Sequence, residues 1–99
     1  GKNGYWKVLF AEDEAEESEP WKVRVLFPRG VTPKNVKLGI NSGVWTYVTY
    51  DGEIKEGVRE VTIEGVDGIW LPGQPATVDC RLTDVDGGEV GPHQLIFSR

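Results

Sequence analysis

The chain has 99 residues, with thirteen glycines, six prolines, four tryptophans and a formal charge of −5 at pH 7. That length suits a single domain around one core, and no apolar run approaches the roughly 20 residues of a membrane-crossing helix, so membrane insertion is not expected. Six of the sixteen acids are Glu12, Asp13, Glu14, Glu16, Glu17 and Glu19; the rest of the chain sets ten acids against eleven bases, with no aromatic-laced basic stripe, so nucleic acid is not an expected partner.

In chain order, Tyr5 to Phe10 is a first predicted strand, with Trp6, Val8 and Phe10 on one face. Residues 11–20 form an acidic polar loop in which like charges repel and Pro20 stops any helical extension. Trp21 to Phe27 shows the clearest alternation, Trp21, Val23, Val25 and Phe27 against Lys22, Arg24 and Leu26. Trp6 and Trp21 both fall on core-facing rows. Val36, Leu38 and Ile40 mark a third strand, and Asn41-Ser42-Gly43 turns it into a fourth, Val44 to Tyr50. Trp45 and Tyr47 share one side of that strand; Val44, Val48 and Tyr50 share the other. Asp51-Gly52 is a turn signal, followed by a strand around Val58 to Glu64.

Gly65 to Pro75 is a long corner holding Ile69, Trp70 and Leu71, stiffened by Pro72 and Pro75. Strand six spans Ala76 to Thr83, Asp84-Val85-Asp86-Gly87-Gly88 reverses the chain, and Gln94 to Ser98 closes it as a hairpin. About seven short strands with turns between them, and no helical period, predict an all-β antiparallel sandwich in one domain. With no methionine even at position 1, the chain is expected to be a module of a longer protein.

The segment Val61-Thr62-Ile63-Glu64-Gly65-Val66, then Leu71-Pro72-Gly73, then Ala76 to Leu82, resembles fibronectin type III domains. In that family a strand ends at a Leu-x-Pro-Gly-like corner plugged by an aromatic, and the next strand resumes apolar alternation. Asp84 to Pro92 is similar to the glycine-rich loop before the family's last strand. The likeness covers the last forty or so residues; Ala76 stands where the family's corner tyrosine is expected, and Asp67 to Trp70 is extra. It implies an immunoglobulin-like β-sandwich that serves as scaffold or binding module. Fold alone does not fix function.

Chemistry is sparse. The single cysteine, Cys80, shares parity with Val78 and Leu82 and has no disulfide partner within the chain, while the single histidine, His93, follows Pro92. Their positions suggest no nucleophile–base pair, so no catalytic residue and no enzyme activity is expected. Carboxylates at Glu60, Glu64, Asp79 and Asp84 fall at outward positions, where charges are ordinarily solvated. Asp84, Asp86 and Glu89 offer three carboxylates in one turn, a candidate calcium site that lacks the spacing of an EF-hand loop. No other cofactor is implied.

Two surfaces remain. Lys22 and Arg24, with Lys34 and Lys37, form a basic patch if the second and third strands pair. Trp45, Tyr47 and Trp70 are aromatics able to stack on a sugar ring, with Asn41, Asp51 and Gln74 supplying hydrogen bonds to hydroxyls. The residues therefore predict a non-catalytic structural or protein-interaction module of an extracellular or cell-surface protein. It would dock neighbouring domains or a protein partner through the 12–19 and 84–91 loops. The alternative is a carbohydrate-binding accessory module that takes a polysaccharide on its aromatics.

Overall fold

The computed structural model describes residues 21–66 and 76–98 in full, and the backbone of residues 5–8. Among the described residues there are eight strands and no helix: β1 Tyr5–Val8, β2 Lys22–Leu26, β3 Asn35–Asn41, β4 Trp45–Thr49, β5 Glu60–Glu64, β6 Ala76–Thr83, β7 Glu89–Val90 and β8 Gln94–Ser98. Seven of these are four residues or longer; β7 is a two-residue addition to the expected set. The acidic loop 11–20, the corner 67–75 with Trp70 and Gln74, and the side chain of Trp6 lie outside the described residues.

Two antiparallel sheets result. The larger runs β1-β6-β3-β4, with β7 added on β6; the smaller runs β5-β2-β8. Alternation aims one face of each sheet at a shared interior. From the larger sheet come Val36, Leu38, Ile40, Val78, Cys80 and Leu82, all fully buried; from the smaller come Val23, Val25, Val61 and Ile63, flanked by Leu95 and Phe97. Burying each large aliphatic side chain contributes roughly 1.5–3 kcal/mol, so these rows supply most of the drive to close the two layers. Trp21 is buried on the same row as Val23 and Val25, as its parity predicts.

Strand ends depart from expectation in instructive ways. Trp21 and Phe27 leave the ladder of β2 yet stay buried, so their row outlasts the strand. Val44 belongs to the turn and is 72% exposed, because the backbone N–H of Gly43 donates to Asn41 Oδ1 (2.9 Å) and Gly43 holds a φ of 127°. That conformation favours glycine. β5 starts at Glu60; the preceding loop instead lays Tyr50, Ile54 and Val58 against the core.

The expected closing hairpin is the main correction. β6 and β7 do turn back on each other, Leu82 opposite Val90 and Thr83 opposite Glu89. The ladder then stops at Gly91-Pro92, where proline has no N–H to donate. The chain crosses to the smaller sheet, His93 N–H donates to the Leu26 carbonyl (2.8 Å), and β8 pairs along β2 from Leu26↔Gln94 to Lys22↔Ser98. The stretch of β6 that β7 leaves unpaired is taken by β1, Tyr5↔Asp79 through Val8↔Ala76. Each end of the chain thus completes a different sheet.

Candidate functional site

The outward face of the larger sheet carries the one concentration of chemistry among the described residues. Inward Val36, Leu38 and Ile40 on β3 force Lys37, Gly39 and Asn41 outward. Register then places Thr49, Tyr47 and Trp45 of β4 beside them on one side, and Arg81, Asp79 and Thr77 of β6 on the other. Gly39 sits at the centre of this face, opposite Tyr47 on one neighbour and Asp79 on the other.

Glycine is required there by space. A Cβ on Gly39 would lie 2.5 Å and 2.8 Å from Cε1 and Cδ1 of Tyr47, and 3.3 Å from Cε3 of Trp45. Both rings therefore lean across the glycine. They stack on one another with centroids 5.9 Å apart and planes 15° from parallel, a favoured offset geometry. The Lys37 ammonium stands 4.8 Å from the Tyr47 ring centre, a cation–π contact worth about 0.5–1 kcal/mol at an exposed site. Tyr47 is nonetheless 50% exposed.

On the β6 side, Asp79 is only 3% exposed although it points away from the core. Its carboxylate accepts from Arg81 Nε at 3.1 Å and 3.3 Å, and Arg81 also reaches Glu89 Oε1 from Nη1 at 3.4 Å. Lys37, Tyr47, Asp79, Arg81 and Glu89 together line a concavity of about 140 Å³. That is well below the ~300–1,000 Å³ of drug-sized pockets.

The other sequence-derived candidates separate. Asn41 lies beside Trp45 in register, but its carboxamide oxygen is engaged by the Gly43 amide; Asp51 is exposed beyond the end of β4. Lys22 and Arg24 do not join Lys37. β2 pairs with β5 and β8, so these cations sit on the opposite side of the sandwich, and Arg24 makes a forked ion pair with Glu60 (2.9–3.1 Å). Lys34 lies in the loop before β3.

In the candidate calcium turn the carboxylates face other tasks. Asp84 Oδ1 accepts from the Val85 amide, Asp86 Oδ1 from the Gly88 amide, and Glu89 from Arg81. Among the described residues no three His, Cys, Asp or Glu side chains converge on a point a metal ion could occupy.

Cys80 and His93 do not meet. Cys80 is fully buried between the sheets, and burial, followed by the negative charge of adjacent Asp79, pushes its thiol up to about 12. Thiolate chemistry is thereby suppressed at neutral pH. His93 is exposed at the rim of the smaller sheet.

Pairing Trp45 with Tyr47 was legible from the sequence; grouping them with Lys37, Gly39, Asp79, Arg81 and Glu89 was not. The outward parity of Asp79 and Arg81 on β6 was the available signal, but parity says nothing about which strand stands alongside. Among the described residues no helix is long and apolar enough to cross a membrane. No protein-family model, curated protein or solved structure matches this chain.

Proposed function

We propose that this chain is a non-catalytic, carbohydrate-binding accessory module of a larger extracellular or surface protein, with an immunoglobulin-like sandwich as scaffold. The observation that carries the reading is the near-parallel Trp45–Tyr47 pair held over Gly39 on a sheet face, with Tyr47 half exposed and Trp45 partly buried. Aromatic rings left in water on a regular strand cost burial that the core would otherwise gain. A polysaccharide laid across the face recovers that area through its axial C–H groups.

The scaffold reading draws support from connectivity. β2 and β5 lie in one sheet, β3 and β6 in the other, and β3–β4 is a hairpin, the distribution of inner strands found in immunoglobulin-class sandwiches. The exchanged end strands are this chain's own variation. Docking of a protein partner through the 84–91 loop is less favoured, because that loop uses its acidic side chains on its own amides and on Arg81.

The test is tryptophan fluorescence and calorimetric titration with a panel of soluble neutral and acidic polysaccharides, using the chain and Tyr47→Ala. Saturable binding to at least one polysaccharide, weakened tenfold or more by Tyr47→Ala and unaccompanied by new reducing ends, is expected. Silence toward every polysaccharide overturns the reading, as does release of reducing ends. A neighbouring domain of the parent polypeptide shifting the amides of Gly39 and Tyr47 when added in trans would instead assign the face to protein docking.

A further inference from the structure

Resting on that carbohydrate reading, we infer that the concavity between Tyr47 and the Asp79–Arg81–Glu89 chain is a subsite for a single uncharged sugar ring, gripped through a vicinal diol. Three observations lead to it. First, Asp79 is a carboxylate buried on the outward face of a sheet, where a charged side chain normally extends into water. Burying a charge without partners is costly. Among the described residues Asp79 accepts hydrogen bonds only from Arg81 Nε. A carboxylate has about four acceptor positions, so the two contacts from Arg81 do not exhaust it toward the concavity it lines.

Second, the lining is electrically balanced. Lys37 and Arg81 set two positive charges against the two negative charges of Asp79 and Glu89. An anionic sugar entering there meets the Asp79 carboxylate at close range, with no surplus cation among the described lining residues to offset it. A neutral diol meets an acceptor and a donor side by side, one hydroxyl donating to Asp79 and its neighbour accepting from Arg81 or Lys37. Hydrogen bonds to charged groups are stronger than those between neutral groups, which favours a ligand that satisfies both.

Third, the apolar wall of the concavity is the Tyr47 ring, and Gly39, which stands between Tyr47 and Asp79 in the register, leaves room for that ring to lie across the sheet. The volume, about 140 Å³, suits one ring and no more. The Lys37 ammonium lies over the Tyr47 ring. Its flexible stem lets the ammonium swing from the ring to a hydroxyl, giving up only a weak exposed contact.

The experiment compares a neutral polysaccharide with its uronic acid counterpart of matched linkage, on the wild-type chain, Asp79→Asn and Tyr47→Ala. Binding is followed by amide chemical shifts and calorimetry, with melting temperature as the folding control. The expected result has four parts: preference for the neutral polymer, shifts centred on Gly39, Asp79 and Arg81, a loss of tenfold or more in Asp79→Asn, and little change of affinity with salt.

Stronger binding of the uronic acid polymer overturns the inference while leaving the carbohydrate function standing. The same holds for binding that needs Tyr47 but is indifferent to Asp79→Asn. Absence of binding to either polymer removes both. Should Asp79→Asn fail to fold, Glu89→Gln with the wild-type shift map decides: unchanged affinity together with shifts confined to Trp45 and Val44 overturns the subsite.

Discussion

The two outer faces of this sandwich are built by the same alternation yet end in opposite conditions. On the smaller sheet, Lys22, Arg24, Thr62 and Glu64 point outward and Arg24 is satisfied by Glu60 in an exposed, solvated pair. On the larger sheet, a carboxylate is buried, a half-exposed Tyr47 ring stacks on a partly buried Trp45, and a glycine makes room for them. A face that only has to stay soluble needs none of this. The contrast shows that outward parity alone leaves a solvated face, whereas a glycine at the centre and rings on its neighbour build a shaped one.

The comparison can be broken at several strengths. The largest effect is expected from Leu38→Ala, which empties the interior directly beneath the site. The residue is fully buried, so unfolding free energy should fall by about 2–5 kcal/mol in denaturant titrations, at an unchanged slope. A loss below ~1 kcal/mol would mean that the two layers do not close on this residue.

Next come one ion pair from each face. Asp79→Ala should cost about 1–3 kcal/mol, since it strips a nearly buried partner from Arg81. Glu60→Ala should cost at most ~1 kcal/mol because its pair with Arg24 is screened by water. Equal losses in chemical denaturation would erase the distinction drawn between the faces.

Cys80 sharpens the contrast through pH. Its unfolded thiol ionises near the ordinary value of 9.0, whereas in the fold it does so only at about 12. Between those limits the unfolded chain binds fewer protons than the native one, so stability falls as pH rises and is unaffected below the window. The slope approaches about 1.4 kcal/mol per pH unit. Subtracting the alkaline profile of Cys80→Val isolates this contribution, and a vanishing difference would contradict the buried position. Native protein at pH 8 should also resist a thiol reagent that labels the denatured chain at once.

The smallest thermodynamic effect is expected from Gly39→Ala. The added methyl displaces the Tyr47 and Trp45 rings, while the strand gains the ~0.5–1 kcal/mol that glycine forfeits in regular structure. Stability should move by under ~1 kcal/mol, whereas the near-ultraviolet circular dichroism of the stacked rings should collapse. A preserved spectrum would show that the rings do not depend on this glycine.

Ala76 to Thr83 and Gln94 to Ser98 were legible to both ends, because uninterrupted alternation closes at a turn or at a proline-marked step. The shared side of Trp45 and Tyr47 was legible for the same reason. Alternation reports the face a residue takes, not the strand beside it. That is why Lys37 was grouped with Lys22 and Arg24 rather than with Tyr47, and why Asp79 passed for an ordinary solvated acid. The final crossing at Gly91-Pro92 was equally hidden: Asp84 to Gly88 makes a true reversal, and nothing local distinguishes a two-residue return from a full one.

That crossing has a kinetic consequence. Lys22–Leu26 waits for one neighbour from Glu60–Glu64 and another from Gln94–Ser98, so the smaller layer cannot assemble until the chain through Ser98 is available. Such distant closures make collapse slow relative to helical proteins. A nascent chain that has not yet reached Gln94 would hold β2 with one flank bare, and its smaller layer should close only once Gln94–Ser98 has emerged.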